Sequence, residues 1–246
     1  MNGKPARIRR HPLLVIGALM LAVLVGLAAW WLPRIGAVAA PPDAALTSST
    51  HGHGHGDGHG AGDFPRSAAQ QAFHDDMRKL WEDHVTWTRL AIVTFAEDSP
   101  SFPATAERLL QNQVDIGDAI RPYYGEAAGD QLTALLTDHI LIAVDILEAA
   151  KAGDGDALAD ARARWSSNGD DIGNFLGTAD PRHWPAEEMR AGMAMHLDQT
   201  FSEAANELGG NYAASVADYD AAHLHVLDMA DTLSDGIIAQ FPDMFR

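Results

Sequence analysis

Trp81-Glu82-Asp83-His84-Val85-Thr86-Trp87-Thr88 is the stretch on which the fold turns. Its histidine sits among apolar residues, because helical spacing of three and four draws the stripe Met77, Leu80, His84, Thr88, Ala91, Phe95. A partial echo at Thr137-Asp138-His139-Ile140-Leu141-Ile142 gives the stripe Leu132, Leu135, His139, Ile142, Ile146. A fainter one at Ala194-Met195-His196-Leu197-Asp198-Gln199-Thr200 gives Met189, Met193, His196, Thr200, Ala204. A fourth stripe runs Val216, Tyr219, His223, Val226, Ala230, Leu233, Ile237. The pattern predicts four long helices, each pointing one imidazole at a common core.

From Ser67 onward the whole chain carries helical periodicity, with candidate helices over 67–97, 103–121, 128–152, 155–177, 185–208 and 211–240. Turn signals separate them at Ser99-Pro100, Pro122 to Gly125, Gly153-Asp154-Gly155, Asp180-Pro181 and Gly209-Gly210-Asn211. No alternating strand pattern occurs. Residues 67–246 therefore read as an all-α, six-helix up-down bundle built from helical hairpins. Its length suffices to bury a core without covalent staples, which suits a chain with no cysteine. Without cysteine there are no thiolate ligands or nucleophiles, so histidine and carboxylate must carry any chemistry.

The segment before the bundle reads differently. Basic Lys4 to Arg10 leads into Pro12 to Leu32, an uncharged apolar run closed by Trp30-Trp31 and Arg34. Residues 1–36 thus predict a membrane-spanning anchor with its amino terminus in the cytoplasm and the body outside the cytoplasmic membrane. Cleavage as a signal peptide after Ala37-Val38-Ala39 is the alternative, and it leads to the same compartment with a secreted body. Residues 37–66 are rich in Pro, Gly, Ser and Ala and read as a flexible linker. Within it, His51, His53, His55 and His59 alternate with glycine, a composition that captures soft or borderline cations.

Formal charge is −17, and residues 1–40 hold five basic and no acidic side chains, which leaves 12 basic against 34 acidic, or −22, for the rest. A body that acidic repels phosphate backbones, so nucleic acid is not an expected partner. Metal cations are. No glycine-rich phosphate loop follows a strand and no nucleophile elbow occurs, which leaves no enzymatic signature.

Consecutive helices pair into a weak internal repeat. The first helix of each pair carries the histidine, and the second carries Asn112-Gln113-Val114-Asp115, then Asn168-Gly169-Asp170-Asp171, then only Asp231-Thr232-Leu233-Ser234-Asp235. The spacings from histidine to this element are 28, 29 and 35 residues. On their own the Asn-x-x-Asp pairs fit capping boxes that restart a helix. Beside the histidines, Asn112, Asn168 and Asp231 instead read as ligands or as acceptors that orient the imidazoles.

Burying a neutral imidazole without a partner costs roughly 1–3 kcal/mol. Four buried imidazoles are best explained by a shared ligand, so His84, His139, His196 and His223 are candidate metal ligands. Asp220-x-x-His223 has the spacing of di-iron carboxylate bundles, but the glutamates such bundles add have no match here. A histidine-dominated site suits copper or zinc better than iron.

The segments Leu80-Trp81-Glu82-Asp83-His84-Val85-Thr86-Trp87-Thr88-Arg89, Leu110-Gln111-Asn112-Gln113-Val114-Asp115-Ile116-Gly117 and Asp231-Thr232-Leu233-Ser234-Asp235-Gly236-Ile237-Ile238-Ala239-Gln240-Phe241-Pro242 resemble an uncharacterised family of bacterial helical proteins. The likeness spans about residues 78–242. Members carry labels such as glycosyltransferase or acetylglutamate kinase. Either activity would need strands and a phosphate loop, so the resemblance implies a common helical domain and no settled activity.

The sequence thus leads to a membrane-tethered, extracytoplasmic bundle that binds a transition metal for storage, buffering or delivery. One alternative is a structural or pH-sensing bundle whose histidines form a buried polar network. Another is a ferritin-like redox metalloenzyme that uses Asp220 and Asp231 at the same centre.

Overall fold

Ser67 starts the first helix because its hydroxyl accepts from the Gln70 N–H while the Gln70 side chain accepts from the Ser67 N–H, a reciprocal capping box. The computed structural model describes residues 66–246. The expected membrane segment and the linker histidines His51, His53, His55 and His59 lie outside the described residues. Among the described residues no helix is long and apolar enough to cross a membrane.

Six helices follow one another: α1 (Ala68–Ala96), α2 (Phe102–Tyr124), α3 (Glu126–Ala152), α4 (Gly155–Ala179), α5 (Ala186–Leu208) and α6 (Tyr212–Gln240), closed by a short 3-10 turn (Pro242–Phe245). The all-helical expectation holds, and most boundaries fall within a few residues of those read from the periodicity. The largest departure is at the second turn. Pro122 lies inside the last turn of α2 instead of ending it, and the whole connection shrinks to Gly125. Gly125 has φ 84° and ψ 170°, a conformation almost confined to glycine, which lets two long helices reverse direction over one residue.

Each helix packs on its neighbours in sequence, and α6 packs back on α1, so the six form a closed ring. Helices α1, α3 and α5 also touch one another and line the middle. Their register is threefold. Trp81, Leu136 and Met193, three residues before the histidines, are buried in the main core, as are Ile120, Leu176 and Leu233 from the even helices. At the other end Ile92, Leu147 and Ala204, eight residues after the histidines, form a separate buried cluster. Between these apolar layers lie His84, His139 and His196, each 3–6 % exposed. The even helices approach closely at equivalent points: a Cβ on Gly117 would meet the Gly129 carbonyl at 2.8 Å, and one on Gly173 would meet the Arg190 backbone nitrogen at 2.8 Å.

The fourth stripe holds from Val226 to Ile237 and fails before it. Val216 is 49 % exposed, and the buried face of α6 runs through Ser215, Ala222, Val226, Ala230, Leu233 and Ile237. One residue of offset in the first half of the helix is a rotation of about 100°, enough to carry His223 off the core.

Candidate functional site

Three imidazoles meet in the polar layer. His196 lies between the other two, with ring centroids 5.9 Å from His84 and 5.9 Å from His139. Together with Thr88, Ala143 and Trp165 they line a cavity of about 40 Å³, room for more than one water molecule. Trp165 stacks on His139 with centroids 5.1 Å apart and donates from its indole to the His139 carbonyl at 3.1 Å.

The paired helices orient the rings. In the α3–α4 hairpin, Asn168 Nδ2 donates to the Leu135 carbonyl at 3.0 Å, which turns Oδ1 toward His139 Nδ1 at 2.8 Å. Nδ1 therefore carries the proton, and Nε2 is left with its lone pair. The α1–α2 hairpin repeats the device in part. Asn112 Nδ2 donates to the Leu80 carbonyl at 3.0 Å, but the amide that lies against the His84 ring is that of Gln113, whose Nε2 is 3.3 Å from His84 Nδ1. Leu80 and Leu135 each stand four residues before their histidine. Both asparagines sit in the middle of unbroken helices, so the capping-box reading of Asn-x-x-Asp is corrected: their side chains reach across to the neighbouring helix.

The third hairpin holds a different residue in that place. The carbonyl four residues before His196 is Gly192, and it accepts from His225 Nε2 at 2.9 Å. The spacing from imidazole to partner is therefore 28, 29 and 29 residues, and the third partner is His225, where sequence spacing had offered Asp231 at 35. Constancy of spacing was the signal that could have found it. Asp231 instead accepts from Arg78 at 2.6 Å and lies 2.9 Å from the buried His74, on the α1–α6 seam. His223 is stacked on Tyr219, 3.6 Å from Glu82, with 28 % of its side chain exposed. Asp220 is exposed. None of His223, Asp220 and Asp231 lines the cavity.

Burial holds the three rings neutral. His84 is pushed down to about 4 by burial and then by the nearby His139, partly offset by the Asn112 side chain. His139 is likewise lowered to about 4 by burial against its bond to Asn168. His196 is lowered well below the usual histidine value by burial and then by His139, His84 and His225. Three neutral imidazoles with no carboxylate among the cavity-lining residues make a donor set suited to copper or zinc. The spacing is more open than a finished shell. Imidazoles sharing one ion at about 2 Å would stand roughly 5–5.5 Å apart between centroids. Among the described residues no group of three or more His, Cys, Asp or Glu side chains is arranged to hold a metal ion.

A second buried polar cluster escaped the sequence reading. Arg89, on α1, pairs with Glu203 at 3.1 Å and Glu207 at 3.0 Å, both on α5, and Ser215 of α6 donates to Glu207 at 2.7 Å. Glu203 is 1 % exposed and Glu207 5 %. Burial raises Glu203 to about 7 despite its bond and attraction to Arg89.

No family model, no curated protein and no solved structure matches this chain.

Proposed function

We propose that this protein is a membrane-tethered, extracytoplasmic binder of a transition-metal ion, copper or zinc, which it stores, buffers or delivers. One observation carries the reading: three neutral imidazoles from three helices line a single cavity, and one of them, His139, has Nδ1 tied by an amide so that Nε2 keeps a lone pair. His84, His139 and His196 would hold the ion, with Asn168 setting the orientation of His139 and Gln113 lying against His84. The difference between the observed ring spacing and that of a closed shell is about half an ångström, a ring adjustment that ion binding would drive. The linker histidines His51, His53, His55 and His59 supply a first, loose capture site on the same chain.

The test is a titration of the full chain, with those four linker histidines replaced by alanine, against cupric and zinc ions, followed by elemental analysis. The reading expects about one tightly held ion per chain, lost in His139→Ala. Absence of uptake would overturn it.

A second reading, a pH-responsive bundle, is favoured by the open spacing of the same rings. Here the neutral imidazoles serve as a polar layer that destabilises the fold when protonated. It expects no metal uptake together with stability that declines below the usual histidine range.

A further inference from the structure

Charge sets the α5–α6 hairpin apart from the other two. The α1–α2 hairpin holds Arg78, Lys79, Arg89, Arg108 and Arg121, and the α3–α4 hairpin holds Lys151, Arg162 and Arg164, whereas α5 and α6 together hold Arg190 alone. From 191 to 245 the chain has nine carboxylates and no lysine or arginine. Arginines from elsewhere meet five of the nine: Arg89 pairs with Glu203 and Glu207, Arg78 with Asp231, Arg66 with Asp235 and Arg246 with Asp243. Asp218 accepts from Ser202 and Asn206. Asp198, Asp220 and Asp228 remain, all exposed and in no ion pair among the described residues, and the same holds for Glu188 just before them.

Apolar surface gathers on the same hairpin. Leu224 is 66 % exposed, Tyr212 61 % and Met195 53 %, the highest values of any large apolar side chain among the described residues, and Val216 joins them on α6. The bond from His225 Nε2 to the Gly192 carbonyl sets the register of the two helices, so Leu224 and Met195 stand within a turn of each other across the seam. Asp220 and Asp228 lie four residues either side of Leu224, and Asp198 lies three after Met195, which puts each carboxylate on the same helix face as its apolar neighbour. The first half of α6 is thus polar inward, through Ser215 and Asp218, and apolar outward. In the other hairpins the residue just before the buried asparagine, where α6 has Leu224, is Gln111 or Ser167, and both are exposed. Along the same seam lies a groove of about 240 Å³ lined by Met189 and Met229 together with Glu188 and Asp228. An arginine or lysine suits such a groove, its aliphatic stem on the thioethers and its cation beside the carboxylates.

We propose that this face docks a basic amphipathic helix of a partner protein, with apolar side chains seated on Tyr212, Val216, Leu224 and Met195 and with lysine or arginine reaching Glu188, Asp198, Asp220 and Asp228. Charge complementarity selects that occupant. A second copy would bring the same unpaired carboxylates face to face with no basic residue between them, and an anionic lipid surface would be repelled for the same reason. Docking here needs no ion at the imidazole layer, so it stands apart from the metal-binding reading.

The test titrates the full chain, in detergent micelles, into a fluorescent helical peptide of about 18 residues with leucine at i, i+4, i+7 and i+11, lysine and arginine beside them, and neither histidine nor cysteine. Anisotropy at several salt concentrations reads Kd. The basic peptide is expected to bind, and the same peptide with glutamate for every basic residue is not. Leu224→Gln, which installs the residue of the α2 counterpart, is expected to weaken binding about tenfold. Asp228→Asn is expected to weaken it about threefold and to flatten its salt dependence. Leu141→Gln, at an exposed leucine of α3, is expected to leave Kd within about twofold. No binding of the basic peptide would overturn the proposal. So would equal effects of Leu224→Gln and Leu141→Gln, which would reduce the binding to a general attraction for an acidic surface. If Leu224→Gln instead abolishes self-association of the chain, or its adsorption to phosphatidylcholine vesicles, and leaves the peptide Kd unchanged, the face belongs to a second copy or to a membrane and the proposal falls.

Discussion

The imidazole layer and the Arg89–Glu203–Glu207 cluster are built on the same helices α1 and α5, and each satisfies buried polar groups in a different way. The imidazoles are kept neutral, two of them bonded by amides, whereas the cluster sets one guanidinium against two buried carboxylates, of which Glu203 is raised to about 7. A neutral group can lose a partner at the cost of a hydrogen bond. A buried charge that loses its partner must be neutralised or exposed. The two regions should therefore differ most in their response to losing one member, and in the direction of their response to pH.

The widest separation between them is expected from Arg89→Met, which strands Glu203 and Glu207 together: a loss of about 3–5 kcal/mol in denaturant unfolding, largely recovered when both glutamates are also replaced by apolar residues. If the single variant loses less than the imidazole variants below, the cluster is not the charge-held region described here. Asn168→Leu is expected to cost about 2 kcal/mol, since His139 Nδ1 and the Leu135 carbonyl both lose their partner. Asn112→Leu is expected to cost less, about 1 kcal/mol, because Gln113 remains within reach of His84.

The pH response sharpens the contrast, because the two regions oppose each other. For His84 and His139 the folded value, about 4, lies below the unfolded 6.5. Their contribution is complete above pH 6.5 and is lost as pH falls toward 4. Glu203 is raised from 4.5 to about 7, so its contribution is complete below pH 4.5 and is lost as pH rises through 7. Between pH 4.5 and 6.5 the histidines make stability rise with pH and Glu203 makes it fall. Glu203→Gln should therefore steepen the rise by about 1.4 kcal/mol per pH unit, the effect of one proton, measured as unfolding free energy at a series of pH values. An unchanged slope would remove Glu203 from the titration. The smallest effect is expected at the surface, where Arg164 bridges Asp145 and Asp160 on exposed helix faces: Arg164→Ala should leave the unfolding midpoint in the same assay essentially where it was.

The same contrast explains what could be read from the residues alone. Apolar spacing disclosed α1, α3 and α5 together with their histidines, because those stripes are continuous and each imidazole falls squarely within one. On α6 it found Val226, Ala230, Leu233 and Ile237 but misjudged the first half, whose buried residues are Ser215 and Ala222. Small and weakly polar residues leave little periodic signal, and the larger Val216 and Tyr219 drew the stripe to the wrong side. The asparagines were visible as a repeat, but their action was not, since a mid-helix amide and a capping amide look alike until the helix is seen to continue. His225 was hidden by chemistry: an imidazole does the work of an amide, so a search for asparagine or aspartate passed over it to Asp231. Arg89, Glu203 and Glu207 were invisible for a simpler reason. Charged residues are ordinarily solvated, and only the fold brings these three together.

Closure of the ring by α6 against α1 has a topological consequence. The Ser67 hydroxyl donates to the Phe245 carbonyl at 2.9 Å and Arg66 pairs with Asp235, so the two ends of the helical body are side by side. With three related hairpins and adjoining ends, the two inter-hairpin turns and the junction of the ends occupy equivalent places, and none is privileged as a starting point. Circular permutants opened before α3 or before α5, with the original ends joined by a short bridge, retain every packed interface and are entry points for asking whether the order of hairpins matters to this architecture at all.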